Sequence, residues 1–185
     1  MDRLKALKKP LHFISFPNFF LGLVLPIYAV QLGSNPVQIG ALYSIFSLFA
    51  ILMRPIVGSW VDKRGRKSGL LLACISFVIA TVLFLISKDY KYLLFARTVQ
   101  SIGNAFLLIS LDAMVSDVSN IDNRSKNFGI IVQYRNKGAL IGSFIGFTIL
   151  FNKVFSNPFT YIFGIYFLAA IYALYLGIKH VKETL

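Results

Sequence analysis

Six predominantly apolar stretches, each about as long as the roughly 20 residues a helix needs to cross a bilayer, follow one another with only short polar connectors between them. They are Leu11–Leu32, Val37–Val57, Ser68–Ser87, Tyr92–Val115, Phe128–Phe151 and Pro158–Ile178. A buried soluble core can absorb one or two such runs but not six in 185 residues. Composition agrees: 57% of residues are hydrophobic and 14% charged, with a mean hydropathy of +0.72. No stretch alternates in the manner of a barrel strand. The expected fold is an all-α membrane protein, a six-transmembrane-helix bundle filling residues 1–185.

The net charge of +12 does not point to nucleic acid, because the cations sit in short clusters between apolar runs. Arg3, Lys5, Lys8, Lys9, Lys63, Arg64, Arg66, Lys67, Arg124, Lys126, Lys179 and Lys182 fall on one side of the expected membrane. Only Lys88, Lys91 and Lys153 fall on the other. The positive-inside rule then places both termini in the cytoplasm of a multi-pass cell-membrane protein. The basic N-terminus resembles a signal peptide at first sight. Its apolar stretch holds Pro17 and Pro26, runs too long and lacks a small-residue cleavage site. The lone Cys74 lies within an apolar run and reads as a packing residue. His12 and His180 stand at opposite ends of the chain. No metal-ligand set, nucleophile–base arrangement or phosphate-cradling loop is present in the sequence, so an enzyme is not expected and neither is a metal or bound cofactor.

The connector after the second span reads GSWVDKRGRK. Gly58, Asp62, Lys63, Gly65, Arg66 and Lys67 match the G-x-x-x-D-[RK]-x-G-[RK]-[RK] signature, and in this loop the chain resembles the major facilitator superfamily. Arg97-Thr-Val-Gln-Ser-Ile-Gly103 is similar to that family's fourth-span motif, with Ser101 in place of a glycine. Gly129, Gly138, Gly142 and Gly146 resemble its antiporter motif, with Ser143 and Phe147 at the proline and final-glycine positions. The resemblance implies one half of a twelve-span fold, built from two inverted three-helix repeats. It implies that the C-terminal bundle is absent from this chain. It also implies that the signature loop gates transport by holding the second bundle.

The residues support a gate independently. Asp62 near a helix C-terminus is disfavoured by the macrodipole and needs a cationic partner. Arg66 and Lys67 are at hand, and Asp117 in the next basic-side connector can pair with Arg66, with Arg124 beside it. Gly65 permits a tight reversal with positive φ, and Gly58 permits close helix approach.

Charges within the spans cost about +2.5 to +3.5 kcal/mol each at the bilayer centre, so each needs a reason. Gln100, Asn104 and Asp112 fall within about 60° of Arg97 on one helix face, a stripe expected to line a water-filled substrate or coupling cavity. Arg135 shares a face with Gly138, Gly142 and Gly146, the glycines serving close packing, and Arg135 is the fifth-span residue expected in the cavity. Lys137 falls nearly opposite. Asn18 either faces the cavity or caps a break at Pro17. Small residues at Gly40, Ser44, Ser47 and Gly58 in span two, and at Gly69, Ala73, Ser76 and Ala80 in span three, read as helix-packing stripes.

The function these features favour is secondary active transport by alternating access, namely efflux of a small organic molecule coupled to a proton gradient. The alternatives are a transporter of an anionic metabolite and a non-transporting membrane scaffold or regulatory half-transporter. The partners expected are the lipid bilayer, a small-molecule substrate and a second six-helix bundle. That bundle is either the rest of a longer protein or a second copy of this chain.

Overall fold

A computed structural model describes residues 2–152 and 154–181, with side chains outside the description at 2–6, 18, 19 and 23. Every element among them is a helix: α1 (Asp2–Ile14), α2 (Pro17–Gln31), α3 (Pro36–Arg64), α4 (Arg66–Leu85), α5 (Tyr90–Asp117), α6 (Arg124–Phe151) and α7 (Pro158–His180). Four of these, α3, α4, α5 and α7, are long and apolar enough to cross a membrane by length and composition alone. The other two crossings are less plain in composition. The first is divided between α1 and α2, and α6 carries Gln133, Arg135, Asn136 and Lys137 along its length.

The first span is not one helix over Leu11–Leu32, as the hydropathy suggests. It breaks at Ser15 and Phe16, because Pro17 has no N–H to give the carbonyl of Phe13. The Phe16 N–H takes that carbonyl instead, at 3.2 Å. The charged connectors also differ from the expected loops. The helices run on past the apolar stretches, α3 to Arg64 and α5 to Asp117, and α6 starts at Arg124 rather than Phe128. Solvated polar ends sustain these extra turns, and Lys63 and Arg64 in the last turn of α3 complement its dipole. A single residue, Gly65, separates α3 from α4, at φ +90. At the opposite end, Asn35 and Gln38 form a reciprocal capping box on α3 with both bonds at 2.9 Å. Asp89 caps α5 through the N–H groups of Lys91 and Tyr92.

The principal helix contacts follow an internal symmetry, with the minor contact of α5 on α6 outside it. Numbering the crossings one to six, with α1 and α2 together as the first, crossing one packs on five and six, four packs on two and three, and three packs on six. Exchanging one with four, two with five and three with six maps this set onto itself. That is the signature of two three-helix repeats. The core between them is aromatic. Phe84 stacks on Phe163 at 5.3 Å, Tyr28 lies 4.5 Å from Phe159, and the Tyr28 hydroxyl donates to the Phe84 carbonyl at 2.9 Å.

The glycine stripe of α6 brings this helix onto the backbone of the first span. A Cβ at Gly138 would collide with the carbonyl of His12, and one at Gly142 with the backbone of Phe16. At Gly146 it would meet the Phe20 ring and the Tyr166 hydroxyl, and that hydroxyl donates to the Gly142 carbonyl at 3.0 Å. Backbone cannot move aside as a flexible side chain can. Gly142→Ala is therefore expected to destabilise the full-length protein by about 1–3 kcal/mol. Gly164→Ala, where nothing lies within 4 Å of the added carbon, is expected to be neutral. Thermal unfolding in detergent micelles measures both, and equal midpoints for the two variants would remove the close-approach explanation.

Candidate functional site: an ion-pair hub and an open polar face

The basic end of the bundle is organised around Arg66, the first residue of α4. Gly65 turns the chain so sharply that the Arg66 guanidinium lies beside the last turn of the helix before it. Its Nε donates to Oδ2 of Asp117, the last residue of α5, at 3.0 Å. Its Nη1 stands 3.7 Å from Oδ1 of Asp62 on α3. One cation thus joins three helix ends. Asp62 nonetheless keeps 74% of its side chain exposed, against 32% for Asp117. Lys67 points the other way and donates to the carbonyl of Ile178 near the end of α7 at 3.3 Å.

The other residues expected at the gate lie outside this hub. Arg124 bonds the Ser116 hydroxyl at 2.7 Å and lies over the Phe128 ring, which fastens its own connector. Lys63 is exposed, and Arg64 lies over the Trp60 ring at 5.1 Å. Gly58, expected to admit a neighbouring helix, meets nothing within 4 Å. Gly40 likewise meets nothing, and Ser44 and Ser47 are exposed. The small-residue stripe of α3 is therefore an open surface within this bundle and not a packing seam. The stripe on α4 does pack: Gly69 faces Ser110 of α5, and Ser76 and the carbonyl of Ala73 face Gly103.

The polar stripe of α5 divides in two. Arg97 and Gln100 are 5% and 4% exposed even with one face of the bundle uncovered. They lie inside the bundle and do not line an open cavity, contrary to the sequence expectation. Arg97 is satisfied there. Its Nη1 donates to Gln100 at 2.6 Å, its Nε to the Leu42 carbonyl of α3 at 3.4 Å, and its guanidinium lies 4.3 Å from the Phe46 ring centre. Such a cation–π contact strengthens in a dry site. Gln100 also faces a small internal gap shared with Pro17, Thr81 and Tyr166. One turn on, the Ser101 hydroxyl donates to the Phe46 carbonyl at 2.5 Å. The residue that departs from the family's glycine pattern is thus a second bond between α5 and α3.

Farther along α5, Asn104 is half-buried and Asp112 exposed. Asp112 lies within electrostatic reach of Arg135 on α6 and Arg54 on α3. Arg135 is half-buried and Arg54 exposed. On α3, Gly40, Ser47 and Gly58 fall within about 40° of Arg54 at 3.6 residues per turn. Lys137, on the far side of α6, lies over the Tyr134 ring at 5.7 Å, and Lys8 lies over the same ring at 4.8 Å. The side chain of Asn18 lies outside the described residues.

Tyr43 shows an arrangement that the sequence reading missed. Pro26 has no N–H, so the carbonyl of Gly22 one turn earlier in α2 loses its helical partner. The Tyr43 hydroxyl donates to that carbonyl at 2.8 Å. The signal was present in the proline-to-carbonyl spacing of four residues, but nothing in the sequence says which hydroxyl reaches it.

The sequence pattern of the Major Facilitator Superfamily matches residues 11–184. The chain belongs to the Major Facilitator Superfamily. Multidrug resistance protein 1 of Bacillus subtilis (strain 168) is 29% identical over 137 residues, covering 72% of this chain and 35% of that protein. Quinolone resistance protein NorA of Staphylococcus aureus (strain MRSA252) is 28% identical over 142 residues, covering 72% and 37%. The human organic anion transporter MFSD10 (TETRAN) superposes on 100% of this chain and 48% of its own, with a TM-score of 0.79 at 18% identity. A bacterial homologue of the human lysosomal transporter Spinster superposes on 97% and 44%, with a TM-score of 0.75 at 21% identity. These structures show the fold: a membrane bundle of six crossings in two three-helix repeats. The chain spans about a third of the length of the curated relatives it matches.

The Tyr43 bond generates a double-mutant test. Tyr43→Phe removes the hydrogen-bond partner of the Gly22 carbonyl, which lies at an exposed position, and is expected to cost about 0.5–1.5 kcal/mol of stability. Pro26→Ala restores an N–H for that carbonyl, so Tyr43→Phe is expected to cost markedly less in the Pro26→Ala background. Unfolding midpoints of the four full-length proteins close the cycle. Additive effects would mean that the hydroxyl and the proline are not linked through this carbonyl.

Proposed function

We propose that this chain forms the N-terminal bundle of a secondary transporter that exports a small organic molecule by alternating access, coupled to a proton gradient. The observation that carries the reading is the Arg66 hub. It ties the ends of α3, α4 and α5 together, while Asp62 stays exposed beside Gly58, whose Cβ direction is open. A hub with one spare carboxylate can take a second partner without surrendering the first. On this reading a second six-helix bundle docks there when the basic end is shut and leaves when it opens. Lys63, Lys67 and Arg124 keep that end charged and well hydrated, on the cytoplasmic side of the cell membrane. Close packing of α6 on the first span, together with the Arg97 and Ser101 bonds between α3 and α5, supports a bundle that moves as one body. The resistance named for the Bacillus and Staphylococcus relatives, and the glycine stripe similar to an antiporter motif, support export as the direction.

The test is dye flux in proteoliposomes holding the full-length protein under an imposed pH gradient, with rhodamine 123 and rhodamine 110 as probes. Gradient-driven movement of either dye is expected, with proton flux in the opposite sense. Asp117→Asn is expected to slow it about three- to tenfold, with yield and unfolding midpoint little altered, because it shifts a two-state balance through a partly exposed ion pair. Passive leakage alone, identical in empty liposomes, would contradict the transport reading. Unaltered flux in Asp117→Asn would contradict the hub's part in it.

A further inference from the structure

The gap beside Gln100 lies where the two three-helix repeats meet. Thr81 of α4 reaches it from the first repeat, and Gln100 of α5 and Tyr166 of α7 reach it from the second. These polar residues are themselves deeply buried, at 6%, 4% and 2% exposed. The space open to the centre of a water molecule is about 10 Å³. That is roughly what one water needs, and too little for a second or for an organic ligand.

The hydrogen bonds around the gap leave a complementary remainder. The Thr81 hydroxyl donates to the Phe77 carbonyl at 2.7 Å, and the Tyr166 hydroxyl to the Gly142 carbonyl at 3.0 Å. Each has spent its single hydrogen and keeps an oxygen able to accept. Gln100 is the reverse. Its Oε1 accepts from Arg97, and a guanidinium can only donate, which fixes the orientation of the amide. Its Nε2 then carries two hydrogens that reach no acceptor among the described residues. Unlike the partnerless Nε of Arg135, this nitrogen is not sealed off by protein, and the gap is the open space that Gln100 lines. Such N–H groups inside a membrane bundle are costly without a partner.

We propose that one water molecule occupies this gap, accepting from Gln100 Nε2 and donating to the Thr81 and Tyr166 hydroxyl oxygens. Three bonds are the usual complement of a buried water, and here the donors and acceptors match. A bare cation of similar size would face the positive end of the Gln100 N–H. The water extends the line of bonds that runs from the Leu42 carbonyl of α3 through Arg97 and Gln100. It carries that line to Tyr166 and so to the Gly142 carbonyl of α6. The two repeats are thereby bridged at a point where the stacked rings of Phe84 and Phe163 supply no polar contact.

Radiolytic hydroxyl-radical labelling of the purified full-length protein, read by mass spectrometry, tests this. Ionisation of a trapped water generates the radical in place, and the radical oxidises the buried rings beside it. Phe84 and Phe163 line the gap, whereas Phe159 is equally buried and does not. Phe84 and Phe163 are expected to be oxidised severalfold faster than Phe159. Thr81→Val, which keeps the shape and removes the hydroxyl, and Tyr166→Phe are each expected to abolish that excess. Since both act on one water, the double variant is expected to lower the unfolding midpoint by less than the two single changes combined. Equal oxidation of Phe84, Phe163 and Phe159 in the unaltered protein would mean a dry gap and overturn the proposal, whether or not the variants fold. An excess that survives both substitutions, or strictly additive midpoints, would overturn the assigned partners. Neither readout requires transport.

Discussion

The Arg66 guanidinium is held between two carboxylates that arrive on different helices, and the basic end of the bundle depends on that contact. Asp117 belongs to the end of α5 and Asp62 to the end of α3, where each carboxylate faces the negative pole of its own helix. Neither position favours an anion unless a cation stands close by. The cation is brought there by the single-residue turn at Gly65, whose φ of +90 an L side chain rarely adopts. The arrangement is only partly dry, with a quarter of the Arg66 side chain exposed. Water screens such pairs, so they break and re-form at small free-energy cost. That property suits a releasable contact better than a permanent staple.

The rest of the bundle follows the opposite rule. Inside a membrane an unpaired carbonyl has no water to turn to, and two of the carbonyls that prolines strand find a protein partner. Phe16 N–H takes the carbonyl that Pro17 strands, and the Tyr43 hydroxyl takes the one that Pro26 strands. Arg97 and Ser101, one turn apart on α5, bond the carbonyls of Leu42 and Phe46, one turn apart on α3. The α6 glycines let backbone rest on backbone along the first span. Apart from the exposed Tyr43–Gly22 bond, these contacts are buried or half-buried and geometrically demanding, whereas the hub is largely exposed and adjustable. A stiff body with a soft contact at one end is the mechanical requirement of the proposed rocking motion.

Much of this was legible in the sequence because it follows from helix periodicity. The glycine spacing of 138, 142 and 146 names a face that can approach another helix closely, and the structure puts the first span against it. The signature around Gly65 indicated a positive-φ turn and a carboxylate in need of a cation. Periodicity also has a limit: it says which residues share a face and not what the face meets. The stripe of Gly40, Ser44, Ser47 and Gly58 reads like that of α4, yet it is open while the α4 stripe is packed. Arg97 and Asp112 share a face on a helical wheel, but α3 covers the first and leaves the second exposed. Hydropathy gave no sign of the break at Ser15 and Phe16, since a proline in an apolar run changes the hydrogen bonding without changing the polarity.

The most direct measurement follows the chemical accessibility of α3 beside the hub. With Cys74 replaced by serine and a cysteine placed at Ser59, maleimide labelling of the reconstituted full-length protein reports whether the surface next to Gly58 is covered. Two labelling rates are expected, slow when the basic end is shut and fast when it opens. Saturating dye on one side of the membrane should shift the protein between them. One rate, the same with and without dye, would mean that nothing docks on and leaves this surface, and the account of Arg66 as a releasable contact would be wrong.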